Sequence, residues 1–115
     1  MTLRAGKLRN RGELQRPTVS TSATTGQPHE DFEDLGGVWF DLEPIAGSER
    51  FAELQRQGSI THVIRMRYRS GLKASDQLVW RKTPDAALRT FRFVAVLDRN
   101  ERSRELEIHA EEIHV

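Results

Sequence analysis

The sequence contains no cysteine, and this absence removes several classes of protein at once. A disulfide framework, a thiolate zinc site and a cysteine nucleophile all require a residue that the chain lacks. No apolar run approaches the roughly 18 residues needed to cross a bilayer, and residues 1–7 lack the apolar stretch of a secretory signal. We therefore expect a soluble protein that has no membrane partner.

An excess of charge of one sign is also lacking, because 18 Lys and Arg residues stand against 17 Asp and Glu and give a net charge of +1. A dedicated nucleic-acid coat protein is usually strongly basic, so this composition argues against that class. The chain has 115 residues, of which 37% are hydrophobic, and a chain of this size buries only a small core. We expect a single domain over residues 1–115 with a flexible N-terminal arm at residues 1–12.

Alternation of apolar and polar residues predicts strands over most of the chain. Thr61–Tyr68 is the clearest case, because Ile64, Met66 and Tyr68 alternate with basic residues. Short strands separated by turns favour an all-β fold, and we predict a small six-stranded antiparallel β-barrel or sandwich. The predicted strands cover residues 13–19, 38–43, 61–68, 77–80, 90–97 and 105–114.

One segment does not follow the strand pattern. Residues 48–57 contain no β-branched residue, and Phe51 and Leu54 recur at helical spacing behind Ser48, a suitable N-cap. A glycine bounds the segment on each side, and its length is marginal for an isolated helix. We expect a long loop over residues 46–59 between strands 2 and 3, either folded as a short helix or mobile and ordered only against a partner.

Charge is segregated along the first third of the chain. Five basic residues stand against one acid between residues 4 and 16, and four acids fall between residues 29 and 34. Residues 18–27, rich in Ser and Thr, have the composition of a flexible connection. The two blocks are either solvated surfaces or a complementary pair that joins neighbouring copies. The candidate interface residues are Arg4, Lys7, Arg9, Arg11, Glu30, Asp31, Glu33 and Asp34.

A second group of basic residues follows the clearest predicted strand. Arg65, Arg67 and Arg69 alternate with apolar residues and are expected on one face, where they form a candidate surface for phosphate or for acids on an adjacent copy. A stacking platform for bases is not expected, because the aromatic residues fall mostly at apolar positions that predict the core. These residues are Trp39, Phe40, Tyr68, Trp80, Phe91 and Phe93.

No set of residues has the spacing needed for catalysis or metal binding. His109 and His114 are five positions apart, where a helical zinc pair needs four, and on a strand they point to opposite faces. His62 is expected on the surface of its strand. There is no G-x-S-x-G elbow and no glycine-rich phosphate loop ending in Lys-Ser or Lys-Thr. We therefore predict no enzyme activity, no metal and no cofactor.

Four segments occur in an order that is specific as a set. Ala5–Arg11 reads A-G-K-L-R-N-R, and Val38–Pro44 reads V-W-F-D-L-E-P. Gly47–Arg50 follows, and then Thr61–Leu72, which reads T-H-V-I-R-M-R-Y-R-S-G-L. Over residues 5–112 the chain resembles the head-closure, or head–tail joining, family of long-tailed bacteriophages and of phage-derived particles such as gene transfer agents.

The resemblance implies a structural protein of the virion, assembled in the bacterial host cytoplasm. Family members are small β-barrels that form a ring, expected to be dodecameric, beneath the portal and its adaptor protein. The ring carries the channel through which double-stranded DNA passes without sequence specificity, and its lower face meets the tail terminator or tail tube. Two alternatives remain from the residues alone, namely a nucleic-acid-binding small β-barrel and a small enzyme or ligand-binding barrel.

The resemblance also implies a gate in the channel. In this family the loop between strands 2 and 3 projects into the lumen and retains packaged DNA until the tail attaches, which places the gate here at residues 46–59. We expect deletion of residues 51–57 to leave folding intact but to let filled heads lose DNA. The implied gating residues are Gly47, Ser48, Glu49, Arg50, Phe51, Glu53, Leu54, Gln55, Arg56, Gln57 and Gly58.

Overall fold

The computed structural model describes residues 9–21, 26, 28–47, 49–56, 58–98 and 104–113. Within these residues no helix is long and apolar enough to span a membrane. A 3-10 turn, Glu49–Phe51, leads into the short helix α1, Ala52–Arg56. The all-β prediction is confirmed, and the segment between strands 2 and 3 does contain a short helix. The strands are β1 Asn10–Thr21, β2 Pro28–Pro44, β3 His62–Arg67, β4 Gln77–Trp80, β5 Arg89–Asp98 and β6 Glu105–Ile113.

The sheet is antiparallel throughout and closes on itself in the order β1-β2-β3-β6-β5-β4. Closure depends on a short ladder in which residues 13–15 of β1 pair with residues 77–79 of β4. Of the two architectures that the sequence predicts, the barrel is therefore the one that forms.

The barrel interior holds the main hydrophobic core. Successive side chains of a strand point to opposite faces, so each strand sends every second residue inward. Phe40 and Trp80 pack edge to face with ring centroids 5.5 Å apart. Gly12 is required at this level, because a Cβ there would lie 2.9 Å from Leu78 Cδ1. The core consists of Leu14, Phe40, Ile64, Met66, Leu78, Trp80, Phe91, Phe93, Leu106, Ile108 and Ala110.

A smaller apolar cluster, which we call the outer cluster, lies on the outside of β3. Val63 is the member of this cluster that lies on β3, directly before Ile64. Because Ile64 points into the barrel, Val63 points outward. The remaining members come from the chain between β2 and β3, so this connection folds back over the outer face of the barrel. The outer cluster consists of Ile45, Phe51, Ile60 and Val63, with Leu54 packed against it.

Strands β1 and β2 extend beyond the barrel as a two-stranded arm. The ladder between β1 and β4 ends at Gln15, and the ladder between β2 and β3 begins only at Phe40. Residues 16–21 and 28–34 pair with each other and, in the described ladders, with no other strand. We call these residues the hairpin arm. A bulged residue, Leu35, separates the arm from the barrel.

The hairpin arm corrects two expectations. The sequence predicts that strand 2 begins at Val38 and that residues 18–27 form a flexible connection, but β2 begins at Pro28 and β1 continues to Thr21. The alternation that marks a half-buried strand is missing here because the arm lies outside the barrel and does not contribute to its core. The acidic stretch is consequently a strand and not a loop.

Candidate functional site

Residues 46–59, which we call the covering segment, are attached to the barrel mainly through one aromatic side chain. Phe51 is buried in the outer cluster, and Leu54 is half-buried beside it. Gly47 and Gly58 lie near the two ends with φ angles of +76° and +74°, which glycine adopts without strain. The segment is therefore a small unit with an aromatic anchor and a glycine near each end.

The exposed side of the covering segment is polar. Glu49, Glu53 and Arg56 lie at the surface, and Arg56 Nη1 is 3.0 Å from Glu53 Oε1. The side-chain amide of Gln55 donates a hydrogen bond of 2.7 Å to the carbonyl of Ile45. In the described residues, Phe51 and Leu54 thus provide apolar packing and Gln55 adds a polar contact to the chain before the segment.

Of the two alternatives for this segment, a short helix and a mobile loop, the structure has the short helix. The ring of Phe51 is buried and packs against the other members of the outer cluster. Deletion of residues 51–57 would remove this anchor and expose the apolar side chains of the outer cluster, so a variant that tests the segment must keep Phe51. Outside the described residues lie Ser48, Gln57 and the side chain of Arg50.

Arg65 lies on the same outer face as the outer cluster and is only 7% exposed. Its Nη1 atom is 2.8 Å from Glu43 Oε2 and 3.8 Å from Asp41 Oδ2, and its Nε atom is 3.8 Å from Glu107 Oε1. The guanidinium carbon lies 6.0 Å from the centroid of the Phe51 ring. Arg65 is therefore paired within the chain, and the prediction that it belongs to an exposed basic face is wrong.

The outer face also holds a groove of about 730 Å³, which we call the basic groove. Two aromatic side chains project from it, since Trp39 is 52% exposed and Tyr68 is 41% exposed. The guanidinium of Arg11 stacks over Trp39 at 5.4 Å from the ring centroid. The groove combines cations with aromatic surface, and its lining includes Arg11, Gly37, Trp39, Arg67, Tyr68 and Arg69.

The register of three strands builds this groove. Arg11 on β1 is paired with Trp39 on β2. Phe40 is paired with Met66 inside the barrel, which places Trp39 next to Arg67 on the outside. An aromatic ring therefore lies between two arginines on adjacent strands.

Two glycines keep the floor of the basic groove low. A Cβ on Gly37 would lie 2.6 Å from Arg11 Nη2, so any larger residue would displace that guanidinium. Gly36 has a φ angle of +99°, which favours glycine at the bulge. Arg69 Nη2 donates a hydrogen bond to the carbonyl of Leu35, which holds this second guanidinium near the same floor.

Sequence reasoning missed the exposed aromatic residues of the groove. Trp39 and Tyr68 are predicted in the core because both sit at apolar positions of the pattern. A signal for Trp39 was present, because adjacent residues of a strand face opposite ways and only one of Trp39 and Phe40 can point inward. Tyr68 follows the last residue of β3, where alternation no longer determines burial.

The acidic candidates lie on the hairpin arm. Asp31, Glu33 and Asp34 are exposed, and Phe32 between them is 48% exposed. Asp34 Oδ1 accepts a backbone hydrogen bond of 2.9 Å at the bulge. Glu30 belongs to β2, but its side chain lies outside the described residues. The arm thus presents Phe32 and Asp34 on one face and Asp31 and Glu33 on the other.

The basic candidates near the N-terminus are distributed between two places. Arg11 lines the groove, and Arg9 is exposed just before β1. The predicted flexible arm over residues 1–12 is wrong for residues 10–12, which are already part of β1. Outside the described residues lie Arg4 and Lys7.

A buried ion pair fixes the base of the hairpin arm. Arg16 Nε and Nη2 donate to Asp76 Oδ1 and Oδ2 at 2.9 and 3.1 Å, and Nη2 also donates to the carbonyl of Gly71 at 2.7 Å. The backbone N–H of Lys73 donates to Asp76 Oδ2 at 2.8 Å. Burial raises the pKa of Asp76, but the hydrogen bonds from Arg16 and Lys73 outweigh it and hold the pKa below its usual value.

The histidine side chains that the structure describes and the acidic side chain of Glu107 contact other residues of the same chain. Among these residues no three His, Asp or Glu side chains are grouped closely enough to hold a metal ion. His62 is not on the surface as predicted, because its ring packs edge to face against Phe91 at 5.2 Å and burial lowers its pKa. His109 Nε2 lies 3.1 Å from Glu107 Oε2 on the same strand. The surface features that the structure does show are the basic groove, the hairpin arm and the covering segment.

Comparison with known proteins identifies the family. The family model for phage head completion proteins matches residues 3–113. The chain belongs to the phage head completion protein family. The resemblance that the sequence shows over residues 5–112 is thereby confirmed, and this head completion protein has a structural role in closing the head. No curated protein matches the chain.

Two solved structures are similar to this head completion protein. The solution structure of protein SF1141 from Shigella flexneri 2a is 22% identical, with a TM-score of 0.68 and coverage of 96% of both chains. A chain from the virion of a native gene transfer agent particle is also 22% identical, with a TM-score of 0.45 and coverage of 94% of this chain and 97% of that one. The first likeness supports the barrel fold.

Proposed function

We propose that this head completion protein forms a homo-oligomeric ring, dodecameric by the family resemblance, between the portal with its adaptor and the tail. The ring lines a channel through which double-stranded DNA passes without sequence specificity, and its far face docks the tail terminator or tail tube. The protein acts in the virion after assembly in the host cytoplasm, and its role is structural and not enzymatic.

The observation that carries the gating part of this proposal is the covering segment. A gate needs a unit that moves while the rest of the subunit stays folded. The outer cluster is separate from the core inside the barrel, and a Cβ on Gly47 or Gly58 would meet nothing within 4 Å. Release of Phe51 from the outer cluster would free the segment and leave the barrel interior unchanged.

The charge of the covering segment suits a surface that DNA must slide past. Its exposed side carries Glu49, Glu53 and Arg56, with the last two paired to each other. Carboxylates repel phosphate, and affinity for the DNA backbone comes from unpaired cations. Among the side chains of the segment that the structure describes, carboxylates outnumber cations, which suits a surface that DNA slides past without being held.

The test replaces residues 52–56 with a Gly-Ser stretch of equal length and keeps Phe51 and the rest of the outer cluster. We expect tail-less heads that carry this variant to assemble and fill but then to lose their DNA. Nuclease-protected DNA per filled head, followed over time, measures this loss.

A matched control makes the same replacement at residues 83–87, in the largely exposed loop between β4 and β5. Loss of DNA from the variant at residues 52–56 alone supports the gate. Full retention by that variant would contradict it. Equal loss from both variants would show that head closure fails as a whole, which also contradicts a specific gate.

A second candidate function is that of a nucleic-acid-binding small β-barrel. The basic groove favours it, because Trp39 and Tyr68 are exposed beside arginines as in platforms that stack bases. This alternative requires the isolated chain to bind oligonucleotides with a steep dependence on salt, and quenching of Trp39 fluorescence on titration with DNA measures it.

A further inference from the structure

We propose that the basic groove of one subunit receives the hairpin arm of a neighbouring copy of the same chain, with Phe32 seated against Trp39 and Tyr68. This inference rests on the proposed ring and names the contact that joins its subunits. It refines the pairing expected from the sequence, in which basic residues near the N-terminus meet the acidic block: Arg11 remains part of the contact, and Trp39, Arg67 and Tyr68 are added to it.

The basic groove supplies the aromatic and positively charged side of this contact. Trp39 and Tyr68 leave about half of their surfaces open to water, and Arg11 and Arg67 flank the first of them. Trp, Tyr and Arg are the residue types that contribute most to binding at protein interfaces when a partner covers them. A partner that fits must supply apolar surface for the rings and negative charge for the guanidinium groups.

The hairpin arm supplies both. Phe32 is 48% exposed, and Asp34, two positions further along the strand and therefore on the same face, is exposed as well. The arm is two-stranded along residues 16–21 and 28–34 in the described ladders, and a two-stranded hairpin is marginally stable in water unless it packs against something. A face that carries an exposed apolar ring and the Asp34 carboxylate therefore matches aromatic rings in a basic groove.

The two surfaces cannot meet within one chain. Phe32 and Trp39 lie seven residues apart on the same strand, a separation of about 23 Å at roughly 3.3 Å per residue. The ion pair between Arg16 and Asp76 ties the arm to the barrel and prevents it from folding back. An arm that enters the groove must therefore come from another molecule, and a contact between two different patches of identical chains repeats from copy to copy and forms a ring where its rotation closes.

The test uses two single variants of the full chain. Arg67→Glu damages the groove and leaves the arm intact, whereas Phe32→Ser damages the arm and leaves the groove intact. We expect each variant to weaken self-association roughly thirtyfold or more, as the loss of a dominant interface residue does. Sedimentation velocity on the purified chain, and on connectors reconstituted with portal and adaptor, measures this association.

Mixing the two variants gives the decisive result. The intact arm of the first still fits the intact groove of the second, but the damaged groove of the first meets the damaged arm of the second. The mixture should therefore form heterodimers in a 1:1 ratio and nothing larger. Matched controls on the opposite side of the barrel are Arg92→Glu, which makes the same change of charge, and Leu97→Ser, whose leucine is 43% exposed.

Three outcomes would overturn the proposal. If each variant forms rings as well as the wild-type chain does, the arm–groove contact is contradicted and the proposed ring is not. If the wild-type chain stays monomeric both alone and with portal and adaptor, the proposed ring is contradicted as well. Quenching of Trp39 fluorescence by DNA oligonucleotides, with self-association unaffected by Phe32→Ser, would assign the groove to nucleic acid.

Discussion

Two arginines on the outer face of one strand show how identical side chains acquire different roles. Arg65 is 7% exposed, lies near the Phe51 ring and pairs with Glu43. Arg67, two residues later on β3, is exposed beside Trp39 in the basic groove. Both are preceded by an apolar residue that points into the barrel, so nothing in their local pattern separates them.

The difference comes from what the chain places over each half of the strand. The connection between β2 and β3 returns across the first half and brings Phe51 to the outer cluster. No such cover reaches the second half within the described residues, where the groove remains open. Alternation thus determines which face a side chain occupies, whereas the neighbouring connection determines whether that face is buried.

The largest expected effect follows from removing the cover. Phe51→Ala should lower the free energy of opening the covering segment by about 3 kcal/mol, because it removes the largest side chain of the outer cluster. The loss should appear as opening of the covering segment, with tryptic cleavage after Arg56 accelerated roughly a hundredfold. Cleavage rates under native conditions measure this opening, and Leu54→Ala, at a half-buried position, should show a smaller acceleration. Cooperative unfolding of the whole barrel in step with cleavage would show that the segment is not a separate unit.

The next effect compares the two arginines directly. Arg65→Ala leaves the carboxylates of Asp41, Glu43 and Glu107 without their shared cation. We expect a loss of about 2 kcal/mol, below the range for fully buried pairs because these carboxylates are partly exposed. Arg67→Ala should change the free energy of unfolding by less than about 0.5 kcal/mol. Urea denaturation of both variants measures the difference, and equal losses would contradict the division of the strand face.

A similar but smaller effect concerns the base of the hairpin arm and its dependence on pH. Because the pKa of Asp76 lies below its usual value, its contribution to stability is fully present above the unfolded-state pKa of about 3.9 and is lost as the pH falls through the folded-state pKa. Asp76→Asn should lower the free energy of unfolding by about 1.5 kcal/mol at neutral pH. The two stability curves should converge in acid, and a constant gap across the whole pH range would contradict this assignment.

The fold was largely predictable because the barrel strands obey simple alternation. In β3, Ile64 and Met66 alternate with arginines and point inward as the pattern predicts. The short helix was also predictable, because Phe51 and Leu54 recur at helical spacing between two glycines. These features depend on neighbouring residues along the chain.

The candidate surfaces were less predictable because they depend on register between distant strands. Trp39 meets Arg11 and Arg67 only through ladders that join β2 to β1 and β3. Residues 28–34 of β2 do not alternate between apolar and polar side chains, because the arm forms no part of the core. Charge blocks indicated that the acidic and basic surfaces exist, but they did not indicate which basic residues face which acids.

Prolines in the hairpin arm bear on how the protein avoids uncontrolled association. The arm pairs with no third strand in the described ladders, so it carries exposed backbone on which another chain could extend a sheet. Pro17 and Pro28 each lack a backbone N–H and so remove a donor from one strand of that arm. Free subunits are thereby protected from adding to one another as a growing sheet, and contact through side chains of defined shape and charge remains available.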